Sequence, residues 1–161
     1  MAELFVCTKV IELMTKILQT LQEYEKQTDN MVNADIEILQ EALIARNELI
    51  DTLEDLKEEL KTAVECEAPE EQKLLNHLIN GSYVNVELDE QHNQIRLLQR
   101  NITVTKQRIV DKDKVISGQF KERRTDSRRE LEQLKQTKQK IGYYNSATVG
   151  RATGQSLNKN L

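Results

Sequence analysis

Several residue types on which enzymes and secreted domains depend are scarce in this chain of 161 residues. It has no tryptophan, one proline and five glycines, and aromatic residues make up only 4% of the total. So few turn-forming and aromatic residues argue against a β-sandwich and against an enzyme with a deep pocket. Charged residues, at 31% of the chain, favour an elongated helical protein of about one domain.

Cysteines and long apolar runs are also scarce. Cys7 and Cys66 form no metal-binding spacing, and neither histidine stands near them in the sequence. The first residues contain no basic stretch and no cleavage pattern, so we identify no secretory signal. No run approaches the roughly 18 apolar residues that a membrane span needs. We therefore expect reduced thiols, no metal, no membrane insertion and a cytoplasmic location.

The sequence also lacks residues arranged for catalysis. His77 and His92 lie on different predicted segments, and no serine or cysteine is placed beside either as a nucleophile. The chain has neither a glycine-rich phosphate loop nor an H-E-x-x-H motif. The sequence therefore predicts a binding or structural protein, not an enzyme, with no cofactor and no small-molecule substrate.

What the sequence does contain is a strict heptad repeat. Five apolar residues recur every seven positions: Leu88, Ile95, Ile102, Ile109 and Ile116. This spacing keeps them on one side of a helix. The other seam positions carry polar side chains such as Thr105 and Lys112, where a self-pairing coiled coil would have leucine. We expect this helix to pack against an apolar surface made by the same chain.

Two earlier helices, at about residues 3–28 and 35–66, are predicted to form that surface. Apolar residues spaced by three and four mark one face of the first helix. Two adjoining stripes give the second helix a broad apolar surface, and one of these stripes consists of Ile36, Leu39, Leu43, Ile50, Leu53 and Leu60. Polar turn and capping residues around 30–35 predict a reversal of the chain. Arg46 interrupts one stripe of the second helix, and we expect its head group to be paired at the edge.

Two further helices complete the predicted fold. Pro69 predicts a short helix over 69–79, and a long helix is predicted over 87–141. At about 1.5 Å per residue, the long helix is about twice the length of the others, so it either bends near Gly118 or projects from the bundle. The prediction is an all-α, elongated antiparallel helical bundle or coiled-coil hairpin, with one domain at 1–141 and a flexible tail at 142–161.

The charges are distributed unevenly along the chain. Residues 1–71 carry a net charge of −12, and residues 72–161 carry +8. Acidic and basic helices that pack side by side would explain this pattern, and a basic half that binds nucleic acid or an acidic partner is the alternative. The arginine pairs of the basic half are interleaved with acidic residues, and no aromatic residue shares their segment. Nucleic-acid binding is therefore disfavoured.

The C-terminal part of the long helix contains few apolar residues. After Phe120, only Leu131, Leu134 and Ile141 fall on a helical face, and residues 121–140 are otherwise rich in lysine and arginine. Such a segment is weakly anchored to its own domain, so we expect it to be available for docking on a partner.

Two stretches of the chain carry a family resemblance. The first is the Asn33-Ala34-Asp35 turn with the helix after it, which carries Leu39, Leu43, Arg46, Leu49-Ile50 and Leu53. The second is the basic helix that ends at Ile141, followed by Tyr143-Tyr144 and a tail of small residues. Both are similar to flagellar export chaperones of the FlgN/FliT type. The likeness covers most of the chain in layout and about thirty residues in detail, and the connector at 80–86 has no counterpart.

The resemblance implies a small cytoplasmic helical bundle with a defined task. It would bind the terminal helices of a late flagellar axial protein, either a hook–filament junction protein or the filament cap protein. It would prevent their premature assembly and deliver them to the export gate. The client-binding residues would be Phe120, Leu131, Leu134 and Ile141, and the contacts with the export gate protein would be Tyr143 and Tyr144. Docking of a client helix in an apolar groove is a common recognition mode.

Two other interpretations remain open. One is a structural coiled-coil or adaptor protein, with a homodimer formed through the long helix. The other, less favoured, is a nucleic-acid-associated protein that uses the basic C-terminal half. The paired tyrosines also have a structural alternative, since they can attach the helix end to the bundle.

Overall fold

The computed structural model describes the backbone of residues 2–148 and the side chains of residues 7–139. Within these residues the chain forms four helices and no strand: α1 (Ala2–Asn30), α2 (Ile36–Glu65), α3 (Pro69–Ile79) and α4 (Glu90–Thr148). The predicted all-α bundle with a long C-terminal helix is therefore confirmed. The chain divides into two units, residues 1–116 and 117–161, and α4 contributes to both.

A tight turn separates α1 from α2. Asn33 adopts a left-handed backbone conformation with φ of 54°, which asparagine tolerates better than most residues. Asp35 then caps α2, because its carboxylate accepts a hydrogen bond from the Ile38 amide at 3.0 Å. The chain reverses where the sequence predicts it, and α2 packs against α1.

A single glutamine organises the turn between α2 and α3. Gln72 Nε2 donates hydrogen bonds to the carbonyl oxygens of Glu65 and Glu67, at 3.0 and 2.6 Å. Glu65 ends α2, where the carbonyl oxygens of the last turn have no amide partner within the helix, and Glu67 lies in the turn itself. Pro69 occupies the first turn of α3, where its missing amide hydrogen has no cost.

A connector at residues 80–89 joins α3 to α4. It forms no strand, as the sequence predicts. Gly81 adopts a φ of +74°, a conformation that glycine reaches without steric cost. Asp89 ends the connector, and its carboxylate accepts a hydrogen bond from the His92 amide at 2.8 Å. This cap explains why α4 begins at Glu90 and not at the predicted residue 87.

The heptad isoleucines of α4 form part of the core of the first unit, as predicted. Ile95 is 0% exposed, and it shares one apolar cluster with Ile102 and Ile109. Burial of each such side chain contributes about 1.5–3 kcal/mol. The other helices supply Val10, Leu13, Met14, Ile17 and Leu21 from α1, Leu53, Leu56, Leu60 and Val64 from α2, and Leu75 and Leu78 from α3.

Polar contacts show how the helices of the first unit are oriented. Arg108 and Lys112 of α4 form ion pairs with Glu25, near the end of α1, at 2.9 and 3.2 Å. His92, at the start of α4, lies beside Cys7, near the start of α1. The two helices therefore run parallel. The ion pairs also agree with the side-by-side neutralisation that the charge distribution favours.

The second unit begins at Ser117 and contains the rest of α4, which is helical to Thr148. The predicted helix end was residue 141. A single glycine inside a helix costs only about 1 kcal/mol, so Gly142 is not enough to end it. Residues 149–161, which include most of the predicted tail, lie outside the described residues, and the predicted single domain at 1–141 stays a prediction.

Candidate functional site

Three of the predicted client-binding residues lie on one side of α4 in the second unit. Phe120, Leu131 and Leu134 are separated by eleven and three residues, both close to whole helical turns. Leu131 is 53% exposed and Leu134 49% exposed, whereas Phe120 is partly buried. Ile141 is on the helical backbone, but its side chain lies outside the described residues. The structure therefore aligns three of the four and exposes two of them.

The surroundings of the two leucines are polar. Charged and amide side chains occupy the positions around them, and these are exposed. A single exposed leucine is ordinary on a protein surface and needs no explanation. Two half-exposed leucines and a phenylalanine on the same side of a charged helix are a more specific pattern, because helical docking uses anchors at this spacing.

The predicted export-gate residues fall within the extended end of α4. Tyr143 and Tyr144 belong to the helical backbone that ends at Thr148, and not to a tail that begins at residue 142. Their side chains lie outside the described residues. Both the docking role and the alternative of attachment to the bundle therefore stay predictions.

The structure separates the apolar residues of α2 into two groups. Leu53 and Leu60 are buried in the core, as their stripe predicts. Ile36, Leu43 and Ile50 belong to the same predicted stripe, yet all three side chains are exposed. They recur every seven residues, so they form an apolar line along one side of α2. The sequence predicted a broad apolar surface on this helix, and the core of the first unit uses only part of it.

A second line of exposed apolar residues, which the sequence reasoning missed, lies on α4. Leu97, Val104 and Val115 are separated by seven and eleven residues and are all about half exposed. At 100° per residue this line lies far from the buried isoleucines around the helix. The signal was present in the sequence, because valine and leucine at these intervals mark a second helical face.

Arg46 joins three helices of the first unit. Its guanidinium donates to both carboxylate oxygens of Asp113 in α4, at 3.0 and 3.1 Å. It also donates to the Tyr24 hydroxyl in α1, and its charge lies 4.4 Å from the centre of that ring. Burial opposes the charged form, but the hydrogen bonds with Tyr24 and Asp113 outweigh it and raise the pKa of Arg46. The paired head group expected from the sequence is present.

A second polar cluster lies where α1, α3 and α4 begin. The Nε2 atom of His92 is 2.6 Å from Glu71 Oε1 and 3.8 Å from Cys7 Sγ. The Nδ1 atom of the same ring is 2.7 Å from Asp89 Oδ1. Burial alone would lower the pKa of His92, but the hydrogen bonds and charges of Glu71 and Asp89 outweigh that effect and raise the pKa.

The sequence reasoning did not find this cluster. It noted that no histidine is near Cys7 along the chain, and 85 residues do separate Cys7 from His92. The signal was their position on the helices. Cys7 precedes Val10 on the buried face of α1, and His92 precedes Ile95 on the buried face of α4. Because these helices run parallel, two polar residues at the starts of their apolar faces meet.

No family model, curated protein or solved structure matches this chain. Among the described residues, none of the helices combines the length and the apolar character that crossing a membrane requires. The family resemblance therefore rests on the sequence stretches alone.

Proposed function

We propose that this protein is a flagellar type III export chaperone that acts in the cytoplasm. In this proposal it binds the terminal helices of a hook–filament junction protein or of the filament cap protein. The supporting observation is the apolar side of α4 in the second unit, where Leu131 and Leu134 are about half exposed in line with Phe120. The family resemblance supplies the identity of the client.

The proposed binding step is docking of a client helix against α4. An amphipathic client helix would dock by placing apolar anchors three, four or seven residues apart. Each leucine that becomes fully buried contributes about 1.5–3 kcal/mol. A client helix held in this way cannot pack against neighbouring axial subunits, which is how premature assembly is prevented.

The test of client binding uses purified full-length protein and the terminal helices of each candidate client from the same organism. We expect one client to bind in isothermal titration calorimetry. The double variant Leu131→Ser, Leu134→Ser should weaken binding at least about tenfold, or about 1.4 kcal/mol. The matched control, Gln133→Ser with Gln136→Ser, changes two exposed polar residues of the same helix and should bind as well as the wild type. Equal affinity in both double variants, or no binding by any candidate, contradicts the proposal.

The export-gate contact has its own test. A chain truncated after Ile141 lacks Tyr143 and Tyr144 but keeps all four proposed client-binding residues. We expect it to retain the client and to lose the export gate protein in a pull-down. Unchanged capture of the export gate protein removes these tyrosines from the proposal.

A structural adaptor is the second candidate function, and one observation favours it. The second line of exposed apolar residues, Leu97, Val104 and Val115 on α4, is open to solvent in a single chain. Contact with a second copy of the chain would cover it. Sedimentation velocity of the purified protein distinguishes the two candidates. A dimer that dissociates when Val104 is changed to Ser favours the adaptor, whereas a monomer at all concentrations removes the homodimer.

A further inference from the structure

A group of potential metal ligands lies in the first unit where three helices begin. Cys7 comes from α1, Glu71 from α3 and His92 from α4, and their ligand atoms all lie within 4.8 Å of one another. We propose that these three side chains bind a divalent transition-metal ion, and that the ion is zinc. This site is independent of the proposed export function.

The donor atoms fit zinc and not magnesium or calcium. Thiolate sulfur, imidazole nitrogen and carboxylate oxygen are the three donor types that bind zinc in proteins. Magnesium and calcium require sites built largely from oxygen, and in this group only Glu71 supplies oxygen. A buried thiol also selects against these harder ions, because sulfur binds soft and borderline metals.

The distances require only a small adjustment. Cys7 Sγ lies 3.8 Å from His92 Nε2 and 3.9 Å from Glu71 Oε1. Bonds of about 2.3 Å to sulfur and about 2.0 Å to nitrogen or oxygen, arranged tetrahedrally, place such atoms about 3.5 Å apart. The 2.6 Å between Nε2 and Oε1 must widen to about 3.3 Å. The Glu71 side chain can move this far, because it is 21% exposed.

Asp89 positions the imidazole for this role. Its carboxylate lies 2.7 Å from His92 Nδ1 and also accepts the His92 amide hydrogen. The ring is therefore held with Nδ1 as a donor and with Nε2 directed at Cys7 and Glu71. Histidines that bind metals usually donate their other ring nitrogen to such a carboxylate, which orients the ring and makes it a stronger ligand.

The metal would replace two protons in this cluster. Both ring nitrogens face carboxylate oxygens, which only accept hydrogen bonds, so without metal the ring is protonated on both. On binding, the Nε2 proton of His92 and the thiol proton of Cys7 pass to solvent. The thiolate and the Glu71 carboxylate together neutralise the doubly charged ion. A water molecule completes the fourth position, as in sites with three protein ligands.

A Cys–His nucleophile is the competing explanation of the same residues. Cys7 is only 3% exposed, so a substrate cannot reach its sulfur. Glu71 also lies closer to His92 Nε2 than Cys7 does, at 2.6 Å against 3.8 Å. The Nε2 atom of the imidazole is therefore hydrogen-bonded to a carboxylate and not to the thiol that it would have to activate. Metal binding accounts for all three groups. A nucleophilic role for Cys7 does not account for Glu71, which holds the ring nitrogen that would have to activate the thiol.

The experiment adds Co²⁺ to chelator-treated, full-length protein. Cobalt takes the place of zinc, and its absorption reports a bound thiolate. We expect one ion per chain, a thiolate band, displacement by one equivalent of zinc, and a higher melting temperature with zinc but not with magnesium. A folded wild-type protein that gives no thiolate band overturns the proposal.

The chain provides matched controls, because it has two cysteines and two histidines. Cys7→Ser should lose the thiolate band, and His92→Gln should weaken zinc binding at least tenfold. Cys66→Ser and His77→Gln should behave as the wild type. A band that survives in Cys7→Ser or disappears in Cys66→Ser assigns the metal elsewhere and overturns the proposal.

Glu71→Gln keeps the assignment testable if the change at Cys7 prevents folding. This position is near the surface in the first turn of α3, and the amide has nearly the same shape as the carboxylate. Helical content is checked by circular dichroism. We expect a folded variant with at least tenfold weaker zinc binding, and unchanged affinity overturns the proposed ligand set.

Discussion

Arg46 and Asp113, which are 67 residues apart in the sequence, form a bidentate ion pair with N–O distances of 3.0 and 3.1 Å. The arginine side chain is only 12% exposed, so folding removes most of it from water. Its partner on α4 and the Tyr24 hydroxyl on α1 compensate for that loss of hydration. The contacts of Arg46 therefore connect α2 to α4 through Asp113 and to α1 through Tyr24.

Removing one member of this pair should destabilise the first unit. We expect Asp113→Asn to lower the free energy of unfolding by about 2 kcal/mol, because it leaves the Arg46 charge inadequately paired. Arg46→Lys should cost about 1 kcal/mol, since lysine cannot contact both oxygens at once. Urea denaturation measures both. Lys26→Ala, which breaks an exposed pair with Glu23, is the control and should change stability by less than about 0.5 kcal/mol.

The stability of the first unit should depend on the ionisation of Glu25. The hydrogen bond from Arg108 lowers the pKa of Glu25, and although burial opposes this, Lys112 adds to the lowering. The unfolded chain then binds the proton more readily than the folded one. The contribution is fully present above the unfolded pKa of about 4.3, and it is lost as pH falls through the lower folded value.

Glu25→Gln tests this dependence. We expect the free energy of unfolding at pH 7 to fall by about 1 kcal/mol. A hydrogen bond between charged groups contributes less than usual here, because Arg108 is exposed to solvent. The difference from the wild type should shrink towards zero at the acid end, where both chains carry a neutral side chain. Urea denaturation across the acid range measures it, with Glu23→Gln as the exposed control. A difference that is unchanged by acid would contradict the assigned ion pairs.

The two faces of α4 in the first unit should respond differently to truncation. Ile95 is 0% exposed and Leu97 is 50% exposed, two positions later. We expect Ile95→Ala to cost about 3–4 kcal/mol, because it removes buried apolar surface and leaves a cavity. Leu97→Ala should stay within about 0.5 kcal/mol. Thermal or urea unfolding compares them, and similar costs at the two sites would place α4 differently from the structure.

Two glycines should respond in opposite directions to the same substitution. At Gly81, φ is +74° and an added Cβ would lie 2.7 Å from Gln99 Nε2, so Gly81→Ala should destabilise by about 1–2 kcal/mol. At Gly118, which is helical, nothing lies within 4 Å of an added Cβ. Gly118→Ala should therefore stabilise α4 by up to about 1 kcal/mol, since alanine is the better helix former. Unfolding measurements that show the same sign at both positions contradict this pair of predictions.

Much of the fold could be predicted because helix formation depends on neighbouring residues. The turn at Asn33 and the first-turn position of Pro69 follow from local conformational preference. The burial of Ile95 and Ile102 follows from the heptad, since a seven-residue interval keeps side chains on one face. The predicted start of α4 was three residues too early. The sequence does not show that the helix begins only after Asp89, which caps it by accepting the His92 amide hydrogen.

The candidate sites were less accessible to prediction. Leu131 and Leu134 could be identified because apolar residues are rare in a charged segment. The exposure of Ile36 and Leu43 could not be foreseen, since a stripe predicts a buried face without saying how much of it a neighbour covers. Cys7 and His92 each stand at the start of an apolar helical face, but the sequence does not say that these two helices run parallel, so it could not pair them.

The amino-acid sequence by itself determined the four helices, the reversal at 30–35 and the apolar face of α4. These depend on interactions within a few residues, which periodicity and capping describe. Only the tertiary structure decided which helices lie parallel, and so which distant side chains meet, as Arg46 meets Asp113 and Cys7 meets His92. The physical reason is that helix packing brings together residues far apart in sequence, and the period of a helix carries no information about its neighbour.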